Sequence, residues 1–164
     1  MRAQSLGAVD AHAELRARIA DYLAAHHVMT VATTEPWAAA VFYVSDGFTL
    51  YFLSSPDSRH CRGFGADARV AVTIHEDYAD WREIKGVQIE GVAEPVAAGE
   101  LPRVRELYAA KFPFVRAGAS AAIAAALARI AWYRITPRRV CLVDNAAGFG
   151  HRDCVDLPGG TPSA

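Results

Sequence analysis

The sequence has no excess of one charge and no long apolar run, and both absences exclude large classes of protein. Lysine and arginine number 17 against 18 aspartates and glutamates, for a formal net charge of −1. A protein that coats nucleic acid usually carries a basic excess, so we expect no nucleic-acid partner. No apolar run approaches the roughly 20 residues of a membrane span. Residues 1–9 also lack the charged-then-apolar order of a signal peptide, so no membrane partner is expected.

Cysteine and metal-ligand patterns are also scarce. The three cysteines, Cys61, Cys141 and Cys154, are odd in number and widely spaced, which predicts neither a disulfide framework nor a CxxC site. A reducing, cytoplasmic compartment is the simplest interpretation of this pattern. The six histidines form no HExxH motif and no Cys/His set with ligand spacing, so no metal site is expected.

Apolar residues, in contrast, are abundant: they make up 52% of the 164 residues, enough to bury the core of one domain. We expect that domain to span residues 1–155. The tail 156–164 contains Pro158-Gly159-Gly160 and Pro162, a composition typical of a disordered segment.

Apolar periodicity predicts one N-terminal helix, a series of short strands, and two helices before the final strands. The first helix is expected to begin at Asp10, a favourable N-cap residue. Two later helical segments are expected near residues 101–108 and 123–130. Asp46-Gly47 is a hairpin signal and no regular βαβ alternation occurs, which favours a mainly β (α+β) barrel or sandwich with appended helices. The strands are expected at residues 29–34, 37–44, 48–53, 70–74 and 87–91, with a last pair at 132–135 and 139–143 split by Thr136-Pro137.

The segment from Ser54 to His60 is the most informative motif. It follows a strand, and Ser55 as N-cap with Pro56 at the first helical position would open a short helix. A helix N-terminus presents free N–H groups to an anion, and Arg59 adds a guanidinium that fits phosphate oxygens. Serine hydroxyls add further donors. The alternative is a capped surface helix with solvated arginines, and composition alone leaves both open.

Three segments, taken in order, carry a family resemblance. Residues 51–60 end a strand in serine and continue to Ser-Arg-His, residues 68–72 read Ala-Arg-Val-Ala-Val, and residues 85–91 form a strand that ends in Glu-Gly. As an ordered set they resemble the pyridoxamine 5'-phosphate oxidase-like, FMN-binding split-barrel superfamily. The resemblance covers about residues 27–152, and the ending 133–152 is most similar to a group of small, poorly characterised bacterial members.

This resemblance implies an antiparallel split β-barrel with an N-terminal helix and helices inserted before the last strands. It also implies a homodimer with FMN at the subunit interface. Trp37 to Tyr43 is apolar on both faces, so we expect that strand or its neighbours at the dimer interface.

The resemblance also implies a set of cofactor-binding residues. Ser54 matches the hydroxyl at the strand end, Arg59 matches the phosphate-binding arginine, and His60 takes the place usually held by lysine. Gln88 lies near the flavin-contacting strand. The complete expected set is Trp37, Ala39, Val41, Ser54, Ser55, Ser58, Arg59, His60, Gln88 and Phe149.

Phe149 lies between two glycines, which free the backbone to turn an aromatic side chain outward. We hypothesise that it packs on or beside the flavin ring. The alternative, that Phe149 plugs the end of the barrel, has equal weight.

The favoured function is FMN-dependent oxidation or reduction of an unidentified small molecule, with no catalytic residue assigned. FMN carries the redox chemistry itself, which accounts for the lack of an acid–base pair in the sequence. The family's C-terminal Arg-x-His pattern is absent, so the pyridoxamine phosphate oxidase reaction is not supported. Haem binding, deazaflavin use and a cofactor-free binding protein are the alternatives.

Overall fold

The chain forms a six-stranded antiparallel β-barrel extended by a seventh strand, and this confirms the predicted fold class. The computed structural model describes residues 3–115 and 121–158. The sheet order is β3-β2-β1-β4-β5-β6-β7, and a further pairing between β3 and β6 closes the barrel. The strands are β1 Val28–Thr33, β2 Trp37–Asp46, β3 Thr49–Ser54, β4 Arg69–His75, β5 Lys85–Pro95, β6 Ala131–Asp144 and β7 Arg152–Asp156.

Four α-helices surround the barrel within the described residues. They are α1 Ala3–Ala25, α2 Arg59–Ala66, α3 Leu101–Lys111 and α4 Ala121–Leu127, with short 3-10 turns at Trp81–Glu83, Pro113–Val115 and Asn145–Ala147. The predicted start of the first helix at Asp10 is wrong, because α1 already begins at Ala3. None of these helices is both long and apolar enough to cross a membrane.

Alternation along the strands sends one set of side chains into the barrel, where the main core lies. Met29 and Val31 of β1 and Leu50 and Phe52 of β3 have no exposed surface. Ile19 and Leu23 of α1 and Phe64 of α2 join the same cluster. Each such side chain contributes about 1.5–3 kcal/mol on burial.

A second, smaller core lies outside the barrel, where α3 packs on the outer face of β2 and β3. Val44 and Tyr51 meet Val104, Tyr108 and Phe112 there. The helix therefore covers one part of the barrel wall. The outer face of β1, β4, β5, β7 and the second half of β6 has no such cover among the described residues, and the candidate site lies on it.

The last predicted strand pair is one continuous strand, so the expected break at Thr136-Pro137 is wrong. The first half of β6 pairs with β3 through residues 131–135, and the second half pairs with β7 through residues 139–143. Pro137 lies between these two ladders and opposite a register shift at Glu90/Gly91 of β5. A proline is tolerated at such a bulge because its missing N–H leaves no ladder bond unmade.

The expectation of no disulfide is also wrong: Cys141 and Cys154 are joined. They are directly opposite each other in the register of β6 and β7, with Cα atoms 4.0 Å apart. Spacing along the chain could not show this pairing, because β7 was not predicted. The third cysteine, Cys61, is free and buried.

The predicted tail begins at Asp156, which is the last residue of β7. The Leu157 amide donates to the Arg138 carbonyl at 2.9 Å. Residues 159–164 of that tail lie outside the described residues.

Candidate functional site

The first part of the site is the N-terminus of α2, which follows the end of β3. Ser58 is the N-cap: its backbone is extended, with φ −66° and ψ 149°, and its hydroxyl accepts from the Cys61 amide. The predicted N-cap, Ser55, instead opens a turn in which its carbonyl accepts from the Ser58 amide at 2.9 Å. The N–H groups of Arg59 and His60 are in the first turn and have no acceptor within the helix. They are available to an anion.

A hydroxyl–imidazole cluster lies beneath this helix start. The Nε2 atom of His60 is 2.8 Å from the Ser54 hydroxyl and 3.3 Å from the Ser58 hydroxyl, and the two hydroxyls are 3.3 Å apart. His60 is 7% exposed and packs edge-on against Phe64. Burial lowers the pKa of His60 below its ordinary value. A neutral imidazole in contact with both serines holds the two hydroxyls in place at the helix start.

Arg59 is the exposed cation of this region. Its guanidinium carbon lies 4.5 Å from the centre of the Trp37 ring, which holds the side chain over the turn between β1 and β2. Nη2 also meets Glu35 Oε1 at 3.3 Å, but both side chains are largely exposed, so this ion pair is weak. An anion at the start of α2 can therefore displace Glu35. We call Ser54, Ser58, Arg59 and His60 the α2 cradle.

The second part of the site is a groove of about 390 Å³ on the uncovered outer face of the sheet. One row of its lining crosses all five strands in register, from Thr30 through Thr73, Gln88 and Cys141 to Cys154. We call this cavity the sheet groove. Its lining residues are Thr30, Ala32, Ala71, Val72, Thr73, Gln88, Ile89, Glu90, Arg139, Cys141, Arg152 and Cys154.

One side of the sheet groove is lined by small side chains, and we call it the smooth side. The other side is lined by polar side chains. Ala32, Ala71 and the two threonines leave a shallow floor over β1 and β4, which suits a flat ring system. Gln88, Glu90, Arg139 and Arg152 provide hydrogen-bonding groups over β5, β6 and β7. The side-chain amide of Gln88 has no hydrogen bond to any described residue, so it is free to bind a ligand.

Strand β1 runs from the sheet groove at Thr30 and Ala32 to the α2 cradle at its C-terminal end. Thr33, beside Trp37 in the register, is three residues along β1 from Thr30, or about 10 Å. Gln88 is two strands away from Thr30, about another 10 Å. Gly63 of α2 lies so close to Thr33 that a Cβ there would meet its methyl at 3.3 Å. The helix is thus seated at the end of the strand that leads into the groove.

Some predicted site residues lie elsewhere. Ala39 and Val41 pack against the main core, so their side chains point into the barrel rather than into the sheet groove. Ser55 accepts from the Asp57 amide in its turn. Trp37 belongs with the α2 cradle through Arg59. Sequence reasoning could not assign the faces of β2, because both faces of this strand are apolar.

Phe149 lies at the opposite end of the barrel from the α2 cradle. It is 84% exposed, so the alternative that it plugs the barrel end is wrong. Its ring meets Trp81 edge-on at 5.4 Å. Asn145 joins the two loops: its side chain donates to the Trp81 carbonyl at 2.7 Å and accepts from the Gly150 amide at 3.1 Å. Contact of Phe149 with a flavin stays a hypothesis.

Sequence reasoning missed Thr30, Thr73, Arg139 and Arg152 as groove residues. Thr30, Thr73 and Arg139 occupy outward positions on predicted strands, a signal that strand parity alone could have given. Arg152 could not be found because β7 was not predicted. No histidine lines the sheet groove in the part of the chain that the structure describes.

The closed antiparallel barrel, with its N-terminal helix and the helices before its later strands, defines the chain as a split β-barrel. The family model described as pyridoxamine 5'-phosphate oxidase matches residues 15–144. The chain therefore belongs to this family. Within it, the chain is 32% identical over 144 residues to a protein of Klebsiella pneumoniae named UPF0306 protein, a match that covers 85% of this chain and 91% of that one.

Solved structures support the fold independently. A haem-binding protein from Mycobacterium smegmatis superposes with a TM-score of 0.62 at 24% identity over 88% of this chain, which spans 57% of that protein's length. An FAD-binding protein from Mesorhizobium loti superposes with a TM-score of 0.57 at 20% identity, covering 76% of this chain and 90% of that one. At these identities the likeness establishes the fold alone.

Proposed function

We propose that this protein binds FMN, with the phosphate in the α2 cradle and the ring in the sheet groove. The observation that carries the proposal is the placement of Arg59. Its guanidinium is held over Trp37, and the same segment carries the first-turn N–H groups and the hydroxyls of Ser54 and Ser58. This donor set suits a phosphate monoester. The free Gln88 amide in the groove suits the polar edge of a flavin ring.

His60 supports the phosphate site without touching it. Its side chain is buried against Ser54 and Ser58, so it orients the two hydroxyls instead of adding a charge. FMN supplies hydride acceptance and donation when bound. The chain's own residues bind it, orient it and limit water at the groove. We therefore infer a flavin-dependent oxidoreductase that acts on a small molecule in the cytoplasm, a different reaction from pyridoxamine phosphate oxidation.

We also propose a homodimer. The outer face of β1, β2 and β4 presents a flat surface of small side chains: Ala38 and Ala40 of β2 lie opposite Ala32 and Thr30 of β1. Exposed aromatics border it, with Phe42 5.9 Å from Phe114. An apolar surface of this kind fits a second copy of the chain, which would also cover the smooth side of the sheet groove. Light scattering at micromolar concentration tests this, and a monomer would contradict it.

Haem binding is the second candidate, because a structural neighbour is named a haem-binding protein. A haem usually takes an axial histidine, methionine, cysteine or tyrosine. Among the described residues of the sheet groove, both cysteines are in the disulfide and no histidine, methionine or tyrosine is present. The groove therefore favours FMN over haem on its chemistry. Deazaflavin, which has the same shape as a flavin, would occupy the same site.

The test is titration of the purified, cofactor-free protein with FMN, followed by flavin fluorescence. Arg59→Ala is expected to weaken binding by about 1.5–3 kcal/mol, the range for a charge-assisted hydrogen bond. Arg105→Ala is the matched control, since Arg105 is exposed on α3 and away from the site. Equal affinity of Arg59→Ala and the parent protein would remove the α2 cradle from the site. A Soret band without flavin uptake would favour haem. The absence of both a Soret band and flavin uptake would indicate a cofactor-free protein.

A further inference from the structure

The Cys141–Cys154 disulfide is part of the lining of the sheet groove, yet the proposed flavin function makes no use of it. Both residues line the outer face of their strands; Cys141 lies directly opposite Gln88 of β5, and Cys154 is one strand further along. A disulfide that serves only to tie two strands could lie anywhere on the barrel. This one lies on the wall of the sheet groove.

The two sulfurs differ in access. Cys154 is exposed on β7, whereas Cys141 is 7% exposed on β6. An incoming thiolate can therefore reach Sγ of Cys154, and Sγ of Cys141 becomes the leaving group. This asymmetry directs the first step, because the accessible sulfur is attacked and the buried one leaves as a thiolate.

Two arginines flank the pair, and Glu90, opposite Arg139 in the register of β5 and β6, is the carboxylate of the groove lining. Arg139 lies two residues before Cys141 on the same face of β6, and Arg152 lies two residues before Cys154 on the same face of β7. Arg139 is paired with Asp156 at 2.9 Å. Arg152 has no carboxylate partner among the described residues. A nearby guanidinium stabilises a departing thiolate and attracts an anionic reagent.

We propose that Cys141 and Cys154 form a thiol-exchange site in the sheet groove that takes small anionic thiols of the glutathione class. The thiolate attacks Sγ of Cys154, a new sulfur–sulfur bond forms, and the Cys154–Cys141 bond breaks to leave a thiolate on Cys141. A second thiol molecule then attacks the mixed disulfide and releases Cys154 as a thiolate. Two thiols are oxidised to one small disulfide, and the protein disulfide is reduced to a dithiol.

In a reducing compartment, where such bonds are usually transient, this reaction converts the disulfide to the dithiol. It does not rest on FMN binding, since the cofactor-free protein carries the whole reaction. A ligand that fills the sheet groove would nevertheless shield Cys154.

The experiment compares two probe thiols, glutathione, which is anionic, and cysteamine, which is cationic. The folded full-length protein is mixed with each, the reaction is quenched by alkylation, and the reduced and mixed-disulfide forms are measured by peptide mass spectrometry. Each rate is divided by that thiol's rate towards a small unstructured disulfide. We expect the normalised glutathione rate to be roughly threefold or more above that of cysteamine. The mixed disulfide should form on Cys154.

Arg152→Gln should reduce the preference for glutathione towards one, and Arg105→Gln on α3 should leave it unchanged. Circular dichroism of each variant confirms that the barrel is intact. If Arg152→Gln does not fold, the parent protein still decides the matter, because its charge preference should fall as salt is raised. A disulfide that neither thiol reduces until the protein unfolds would overturn the proposal. So would equal normalised rates, or a mixed disulfide on Cys141.

Discussion

The α2 cradle and the sheet groove differ in how far the protein has already satisfied their polar groups. In the cradle, Ser54, Ser58 and His60 bind one another, and Arg59 rests on Trp37. In the groove, the Gln88 amide and the Arg152 guanidinium have no partner among the described residues. Under the proposed function, the cradle is the fixed anchor of the phosphate. The groove, whose polar groups are free, would then select the substrate.

The largest loss of stability is expected from a substitution in the core beneath the α2 cradle. Phe64→Ala should destabilise the protein by about 3–5 kcal/mol, because this 6% exposed ring packs against Phe52 and Tyr133. FMN should also bind more weakly, because α2 would no longer pack firmly against the barrel core. Thermal or urea unfolding followed by circular dichroism measures the loss. Val115→Ala, a half-buried position beside α3, serves as control and should cost much less.

A fall in pH should lower the free energy of unfolding through His60 of the α2 cradle. The pKa of His60 lies below its ordinary value of 6.5 in the folded protein, because burial disfavours the charged ring. The unfolded chain therefore binds more protons as pH falls below about 6.5, and the His60 contribution to stability is lost from there downward. We expect His60→Gln to show a shallower fall of unfolding free energy between pH 7 and about pH 5. Parallel curves for parent and variant would contradict this.

On the groove side, Gln88→Ala should change affinity without changing stability. Loss of a neutral hydrogen bond to the ring should weaken FMN binding by about 0.5–1.5 kcal/mol. The unfolding free energy should stay within about 0.5 kcal/mol of the parent, as for an exposed side chain with no partner to lose. Fluorescence titration and urea unfolding of the same preparation separate the two effects. A stability loss without an affinity loss would place Gln88 outside the ligand site.

The smallest effect is expected from Glu35, which competes with phosphate for Arg59. Glu35→Gln should tighten FMN binding by about 0.2–1 kcal/mol, the range of an exposed ion pair. The same substitution at Glu106, exposed on α3, is the control and should leave the affinity unchanged. The gain should shrink as salt is raised, because exposed charges are screened.

Local chemistry explains why much of the fold could be predicted. Asp46-Gly47 indicated a hairpin, and Gly47 adopts φ +57° in a two-residue turn between β2 and β3. The order of strands and helices followed from apolar periodicity in the same way. Of the candidate site, Ser54, Ser58 and Arg59 are brought together because they are neighbours in sequence, and Gln88 faces the groove because its strand alternates clearly.

The errors arose where distant parts of the chain decide the outcome. Pro137 looked like a strand break, yet the exchange of partners from β3 to β7 leaves its missing N–H without consequence. Cys141 and Cys154 pair through a strand that the sequence pattern did not reveal. Ala39 and Val41 were expected at the cofactor from the order of strands in the family resemblance; their side chains pack against the main core, and their role at a cofactor stays a prediction.

The two ladders of β6 divide the barrel into parts that can open separately. β7 is held by its ladder to residues 139–143, by the Arg139–Asp156 ion pair, by Val155 in the core and by the disulfide. The six-stranded part closes without it through β3 and β6. In hydrogen-exchange terms, reduction of the disulfide should make the amides of β7 exchange through a local opening. Those of β3 and the first half of β6 should still require global unfolding.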